Sequence, residues 1–150
     1  MSPDDVIRNL FPTLRSTGHR ITSPQTRHYN CLAWAAGETD RRWEPFDPHY
    51  WPSEADREQT IPAFVAAYAS RRYVECDNGN LEEGYEKIAI YAVNDVPKHA
   101  ARQLPNGSWT SKLGNLEDIE HPTVEGVKNN TYGNPVRFMK RLVLVEEHSA

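Results

Sequence analysis

Two residue types in this 150-residue chain offer nucleophilic or base chemistry near neutral pH: two cysteines and six histidines. Cys31 stands in "HYNCLAWAAG", directly after Asn30 and at the start of a short apolar run. A thiol there meets the unsatisfied N–H groups and the positive dipole end of a helix, both of which favour thiolate. The expectation is a thiol pKa below the free value of about 8.5. Attack on a carbonyl also needs donors for the developing oxyanion, which the N–H of Cys31 and the Asn30 amide would supply. The alternative for the same cysteine is a small buried residue on the apolar face "CLAWAA". Cys76, in "YVECDNGN", precedes an acidic turn and has neither a helix start nor a nearby base, so it reads as structural.

A nucleophilic thiol needs a base. His148 falls in a fraying tail, His49 sits among aromatics and prolines, and His19 and His28 lie on loops. His99 and His121 remain, and His99 opens the strand candidate "HAARQL", a rigid platform for a base. Zinc is the rival chemistry for Cys and His. Neither C-x-x-C nor H-x-x-x-H occurs, so no metal site is expected. The one glycine-flanked loop, "GNLEEG", carries acids where a phosphate needs donors, and no cofactor is expected.

These residues need elements to position them. "SPDDVIRNLF" reads as a helix capped by Ser2, with Pro3 at the first position and Asp4 and Asp5 against the dipole. Residues 11–27 lack periodicity and read as irregular. A short helix then begins near Asn30 or Cys31 and stops at Gly37. "RRWEPFDPHYWPSEAD" holds three prolines and can be neither helix nor central strand. Its aromatics either form a substrate lip or pack down on themselves. Thr60 caps "IPAFVAAYASRRY", with Ile61, Phe64, Val65 and Tyr68 at helical spacing. "YEKIAIYAV" and "VRFMKRLVLVEE" read as strands, and residues 98–113 as a hairpin around "PNG". Helices come first and strands later, which is the α+β pattern with a mostly antiparallel sheet.

Composition bounds the function classes. The length fits one domain spanning 1–150, and 38% hydrophobic with 25% charged residues is globular. A net charge of −4 argues against a nucleic-acid partner. No basic start followed by an apolar run and no 18-residue apolar stretch occurs, so no membrane partner and a cytoplasmic location with reduced thiols are expected.

The order "YNC" at a helix start, then "HAARQLPNGSWTSKLG", resembles the papain-like superfamily, in particular its NlpC-type and CHAP-type branch. That resemblance implies a papain-like, NlpC-type α+β fold with N-terminal helices on the sheet. It implies Cys31 as nucleophile and His99 as base, with a third polar residue about twelve positions on, which is Ser111 beside Thr110. Ser111 replaces the usual His, Asn, Gln or Asp, so Glu117 or Asp118 in "NLEDIEH" is the alternative orienter of His99. From Ile21 to Arg141 the chain also resembles a bacterial family built on Y-N-C-x-A-W-A, W-T-S-K-L-G and E-D-I-E-H, which implies the same fold and pair. The expected function is a cysteine hydrolase of an amide, peptide or thioester bond. Asn30 would hold the oxyanion, and Tyr29, Trp51, Arg102, Trp109 and Lys112 would bind a peptide or amide-bearing substrate. Two alternatives stay open: a binding domain on the same scaffold that contacts a protein partner, and an effector toxin acting as protease or deamidase.

Overall fold

The chain is described by a computed structural model that covers residues 1–143. Helix α1 (Pro3–Leu10) starts as its sequence dictates: the Ser2 hydroxyl accepts from the Asp5 N–H and the Asp5 carboxylate accepts from the Ser2 N–H. A single turn, α2 (Leu14–Thr17), follows. The segment expected to be irregular then contributes a strand, β1 (Arg20–Ser23). Helix α3 (Cys31–Ala35) is one turn and a half long, and α4 (Ile61–Ala69) is capped by the Thr60 hydroxyl on the Ala63 N–H.

The rest is mostly sheet. Strands β2 (Val74–Cys76), β3 (Tyr85–Val93), β4 (Val96–Gln103), β5 (Trp109–Lys112), β6 (Asp118–His121) and β7 (Asn134–Leu142) join β1 in the order β1-β6-β5-β4-β3-β7-β2. Every pairing is antiparallel, so the molecule is α+β as the order of elements implied. A 3₁₀ turn at Val124–Val127 links β6 to β7. The last strand ends at Leu142; its expected continuation to Glu147, like His148, lies outside the described residues.

Helices cover both faces of the sheet. On one face α3, α4, Trp43 and Trp51 bury Ile88, Ile90, Ala100 and Met139. On the other, Ile7, Phe11 and Leu14 bury Ala89, Tyr91, Ala101, Trp109 and Ile119. The alternation of β3 drives this: Ile88 and Ile90 point one way and Ala89 and Tyr91 the other, so both faces of a central strand are apolar. The aromatic segment packs down. Trp43 is fully buried, stacked on Tyr68 at 5.7 Å and edge-on to Trp51 at 6.4 Å.

Two features of the sheet matter for chemistry. Strands β4 and β5 pair only at Arg102↔Thr110 and Gln103↔Trp109, so the start of β4, with His99 and Ala100, is not laddered to β5. A turn before β7 brings Tyr132 back over that start. Gly133 makes the approach possible: at φ +82° a Cβ there would lie 1.9 Å from the Ala92 carbonyl oxygen, so only glycine fits.

Candidate active site

Cys31 opens α3 because Asn30 ends the preceding loop. The Asn30 side-chain oxygen accepts from the Ala33 N–H at 3.2 Å and from the Trp43 N–H at 3.0 Å, and its amide donates to the Trp43 carbonyl at 2.7 Å. One side chain therefore caps the helix and clamps the aromatic segment to it. Its oxygen accepts twice and its amide donates to Trp43, so the side chain is held in a structural role, which corrects the expectation that the Asn30 amide holds an oxyanion.

The Cys31 residue is partly exposed, yet its sulfur is hemmed in by packing against the α4-side core. Burial pushes the thiol up to about 11, against the expectation of a depressed value. Three backbone N–H groups face the sulfur, those of Ala100, Cys31 and Leu32, and Arg42 is close enough to act on it. Each favours thiolate, and desolvation outweighs all of them together. Donors at a helix start are legible in the sequence; the packing that desolvates the sulfur is not.

His99 is fully buried on β4. It stands opposite Tyr91 of β3, whose ring meets it edge-on at 5.1 Å, and Tyr132 stacks on it at 4.0 Å with the planes 5° apart. Nε2 lies 3.1 Å from the Ser111 hydroxyl, the residue that the twelve-position register singled out. Among the described residues Nδ1 has no hydrogen-bond partner. Burial, with the nearby His121 second, holds the imidazole well below its usual pKa, so it is neutral.

No hydrogen bond joins the Cys31 sulfur to either ring nitrogen among the described residues: Nε2 bonds Ser111 and Nδ1 bonds nothing. The two groups border the same short stretch of β4 from opposite faces of the sheet: the sulfur lies beside the Ala100 N–H with the α3-side core, and the imidazole, one residue earlier, lies on the face of Tyr91 and Tyr132. They also share a neighbour. The hydroxyl of Tyr132, the ring stacked on His99, is raised by burial first and then by Cys31.

The remaining expected site residues divide by sheet face. Asp118 pairs with Lys112 across β5 and β6, and these two alternate with Ser111 and Ile119, so the Asp118 carboxylate turns away from His99. It accepts instead from the Tyr29 hydroxyl at 2.5 Å, and burial raises its pKa. Glu117 sits in the turn before β6 and does not bond the imidazole. Neither acid orients His99; Ser111 does. Lys112 is buried and donates to the Leu116 carbonyl. Tyr29 stacks on Trp34 at 5.4 Å, and Arg102 donates to the Trp34 carbonyl at 3.3 Å with its guanidinium over that indole. Trp51 and Trp109 belong to the two cores, Trp109 against Phe138 at 6.4 Å. Trp51, Trp109 and Lys112 are thus packing residues rather than a substrate lip, and Tyr29 and Arg102 are engaged with α3 and β6.

Two further residues complete the site: His121, which the sequence left beside His99 as a base candidate without giving it a role, and Tyr132, which it did not mark. His121 lies 2.9 Å from the far side of the Ser111 hydroxyl, and Tyr132 covers the imidazole. Once "GNLE" is seen as a turn, strand alternation puts His121 on the face of Ser111; nothing local marks Tyr132.

An antiparallel α+β sheet with a helix-start cysteine against a histidine-bearing strand is the class these elements define. Over residues 20–140 the chain matches the family described as a domain of unknown function, DUF7689, and it belongs to that family. No curated protein and no solved structure matches it. Among the described residues no helix is long and apolar enough to cross a membrane, and no three His, Cys, Asp or Glu side chains gather as metal ligands.

Proposed function

We propose that the protein is a cysteine hydrolase of an amide, peptide or thioester bond, built on a papain-like, NlpC-type plan. The observation that carries the reading is the free Nδ1 of His99, a buried base with its other nitrogen engaged, one residue from the Ala100 N–H that faces the Cys31 sulfur. A buried unpaired acceptor costs roughly 1–3 kcal/mol, which is a reason to look for the proton it would receive.

The chemistry runs from neutral partners, because burial keeps both thiol and imidazole uncharged. Sγ bonds to the substrate carbonyl carbon as the thiol proton passes to His99 Nδ1. The oxyanion is met by the backbone N–H groups clustered around the sulfur, in place of the engaged Asn30 amide. His99 then gives its proton to the leaving nitrogen or sulfur, and a thioester remains on Cys31. Water, losing a proton to Nδ1, attacks that thioester; the acid departs and the thiol regains its proton. The cytosol suits this activity, since both cysteines are free and a nucleophilic thiol has to stay reduced.

The test is modification by a peptidyl acyloxymethyl ketone, read by intact-mass and peptide mass spectrometry. Cys31 is expected to be modified, Cys31→Ala not, and His99→Gln at least about a hundredfold more slowly. Modification confined to Cys76, or a Cys31 rate indifferent to His99→Gln, overturns the hydrolase. It would leave the second reading, a binding domain, which the neutral and closely packed pair favours.

A further inference from the structure

The hydrogen bonds around His99 do not stop at Ser111. The Ser111 oxygen lies 3.1 Å from His99 Nε2 and 2.9 Å from His121 Nε2, and His121 Nδ1 lies 2.8 Å from the Thr123 carbonyl oxygen. The chain of four groups crosses three elements, β4, β5 and β6, and ends on the first residue before the 3₁₀ turn.

A carbonyl oxygen only accepts, so the hydrogen between His121 and Thr123 belongs to His121 Nδ1. His121 is fully buried and its pKa is pushed down to about 4, so at neutral pH it carries one ring hydrogen and Nε2 is bare. A bare Nε2 accepts, and the only hydrogen between it and Ser111 is that of the hydroxyl. With its hydrogen spent on His121, the Ser111 oxygen has only lone pairs to offer His99. His99 Nε2 must then carry the hydrogen, and Nδ1 holds the lone pair. The fixed end of the chain, a peptide carbonyl, thus dictates the protonation of the far end.

We infer that His121, acting through the Ser111 hydroxyl, is a positioning residue that locks His99 in the tautomer with hydrogen on Nε2 and a free lone pair on Nδ1. Its catalytic consequence rests on the hydrolase reading; the tautomer itself does not. The same chain stands where the papain-like pattern has a single His, Asn, Gln or Asp. As His99 gains a proton, its Nε2–H strengthens toward Ser111, and the serine hydroxyl strengthens toward His121, so the growing charge is answered by aligned dipoles. The surroundings hold this polarity. Tyr132 and Tyr91 clamp the His99 ring against rotation, and Tyr91 is itself tied to the turn by a hydroxyl donated to the Val124 carbonyl at 2.6 Å. Gly126 makes room for His121: a Cβ there would lie 3.3 Å from Nδ1 and 3.0 Å from a Leu14 methyl.

The experiment is two-bond ¹H–¹⁵N correlation NMR on ¹⁵N-histidine-labelled protein at neutral pH, which reports the protonated nitrogen of each ring. The wild-type chain should show His99 protonated on Nε2 and His121 on Nδ1. His121→Phe, which keeps bulk and removes the acceptor, frees the Ser111 hydrogen to turn toward His99 and should move its proton to Nδ1. Reaction of Cys31 with the acyloxymethyl ketone should then slow at least tenfold, and His121→Gln, whose side-chain oxygen can accept from Ser111, should recover most of it. A wild-type His99 protonated on Nδ1, or a tautomer unmoved by His121→Phe, overturns the inference, and the wild-type spectrum decides even if the variant does not fold. A correct pair of tautomers with no reaction at Cys31 upholds the relay and removes the hydrolase.

Discussion

The two faces of the β5–β6 hairpin solve the same problem in opposite ways. On the α3 face, Lys112 and Asp118 stand opposite each other and Tyr29 donates to the carboxylate, so polar groups are held by charge and by hydrogen bonds to charge. One residue along on each strand, on the α1 face, Ser111 and His121 build a neutral chain to His99 with no formal charge in it. Their surroundings differ as well: the buried Lys112 and Asp118 border partly exposed Tyr29 and Arg42, while the neutral chain is sealed by Tyr91, Tyr132 and Leu14. Full desolvation selects neutral forms, and partial desolvation tolerates paired charges.

The comparison breaks most readily at the residue that joins α3 to the aromatic segment. Asn30→Ala strands the Ala33 N–H and both backbone groups of Trp43, and with about 1 kcal/mol for a lost cap and 1–3 kcal/mol for each buried orphan it should cost roughly 4 kcal/mol in urea unfolding. Isostructural loss of a mere surface contact would cost under about 0.5 kcal/mol and would deny the clamp.

Acid separates the two faces next. His121 titrates near 6.5 when unfolded and at about 4 when folded, so between those values only the unfolded chain is protonated and stability rises with pH. Read downward, stability should fall from about pH 6.5 toward 4 by on the order of 3 kcal/mol, with His99 adding in the same direction. A stability flat over that window would mean the chain is not neutral. The smallest effect sharpens the charged face. Tyr29→Phe removes a hydrogen bond to a carboxylate and should cost about 1.5 kcal/mol while raising the Asp118 pKa further, read by carboxyl ¹³C titration.

Much of the local structure was legible in the chain. Ser2, Pro3 and the acids of α1, the Thr60 cap, the apolar stripe of α4 and the "PNG" turn between β4 and β5 all carry mechanisms that act within a few residues. The twelve-position step from His99 to Ser111 came from the resemblance to the papain-like pattern, and the two side chains do meet, at 3.1 Å. Strands β1 and β6 were not legible. Arg20–Ser23 and Asp118–His121 are four residues each and polar by composition; β6 is held in a hairpin with β5, and β1 becomes a strand by pairing with β6 from far along the chain. With β6 unrecognised, His121 had no face and Asp118 was given the wrong one.

By itself, then, the sequence determined where helices begin and which cysteine opens one. Propensity, capping and turn chemistry are short-range and need no partner. Tertiary structure alone decided that the Cys31 thiol is raised rather than lowered, that His99 is neutral with Nδ1 free, and that the third member of the chain is a second imidazole. Protonation depends on how much water the rest of the molecule excludes, and α1, the Tyr132 turn and the far strand do that excluding from positions distant in the chain.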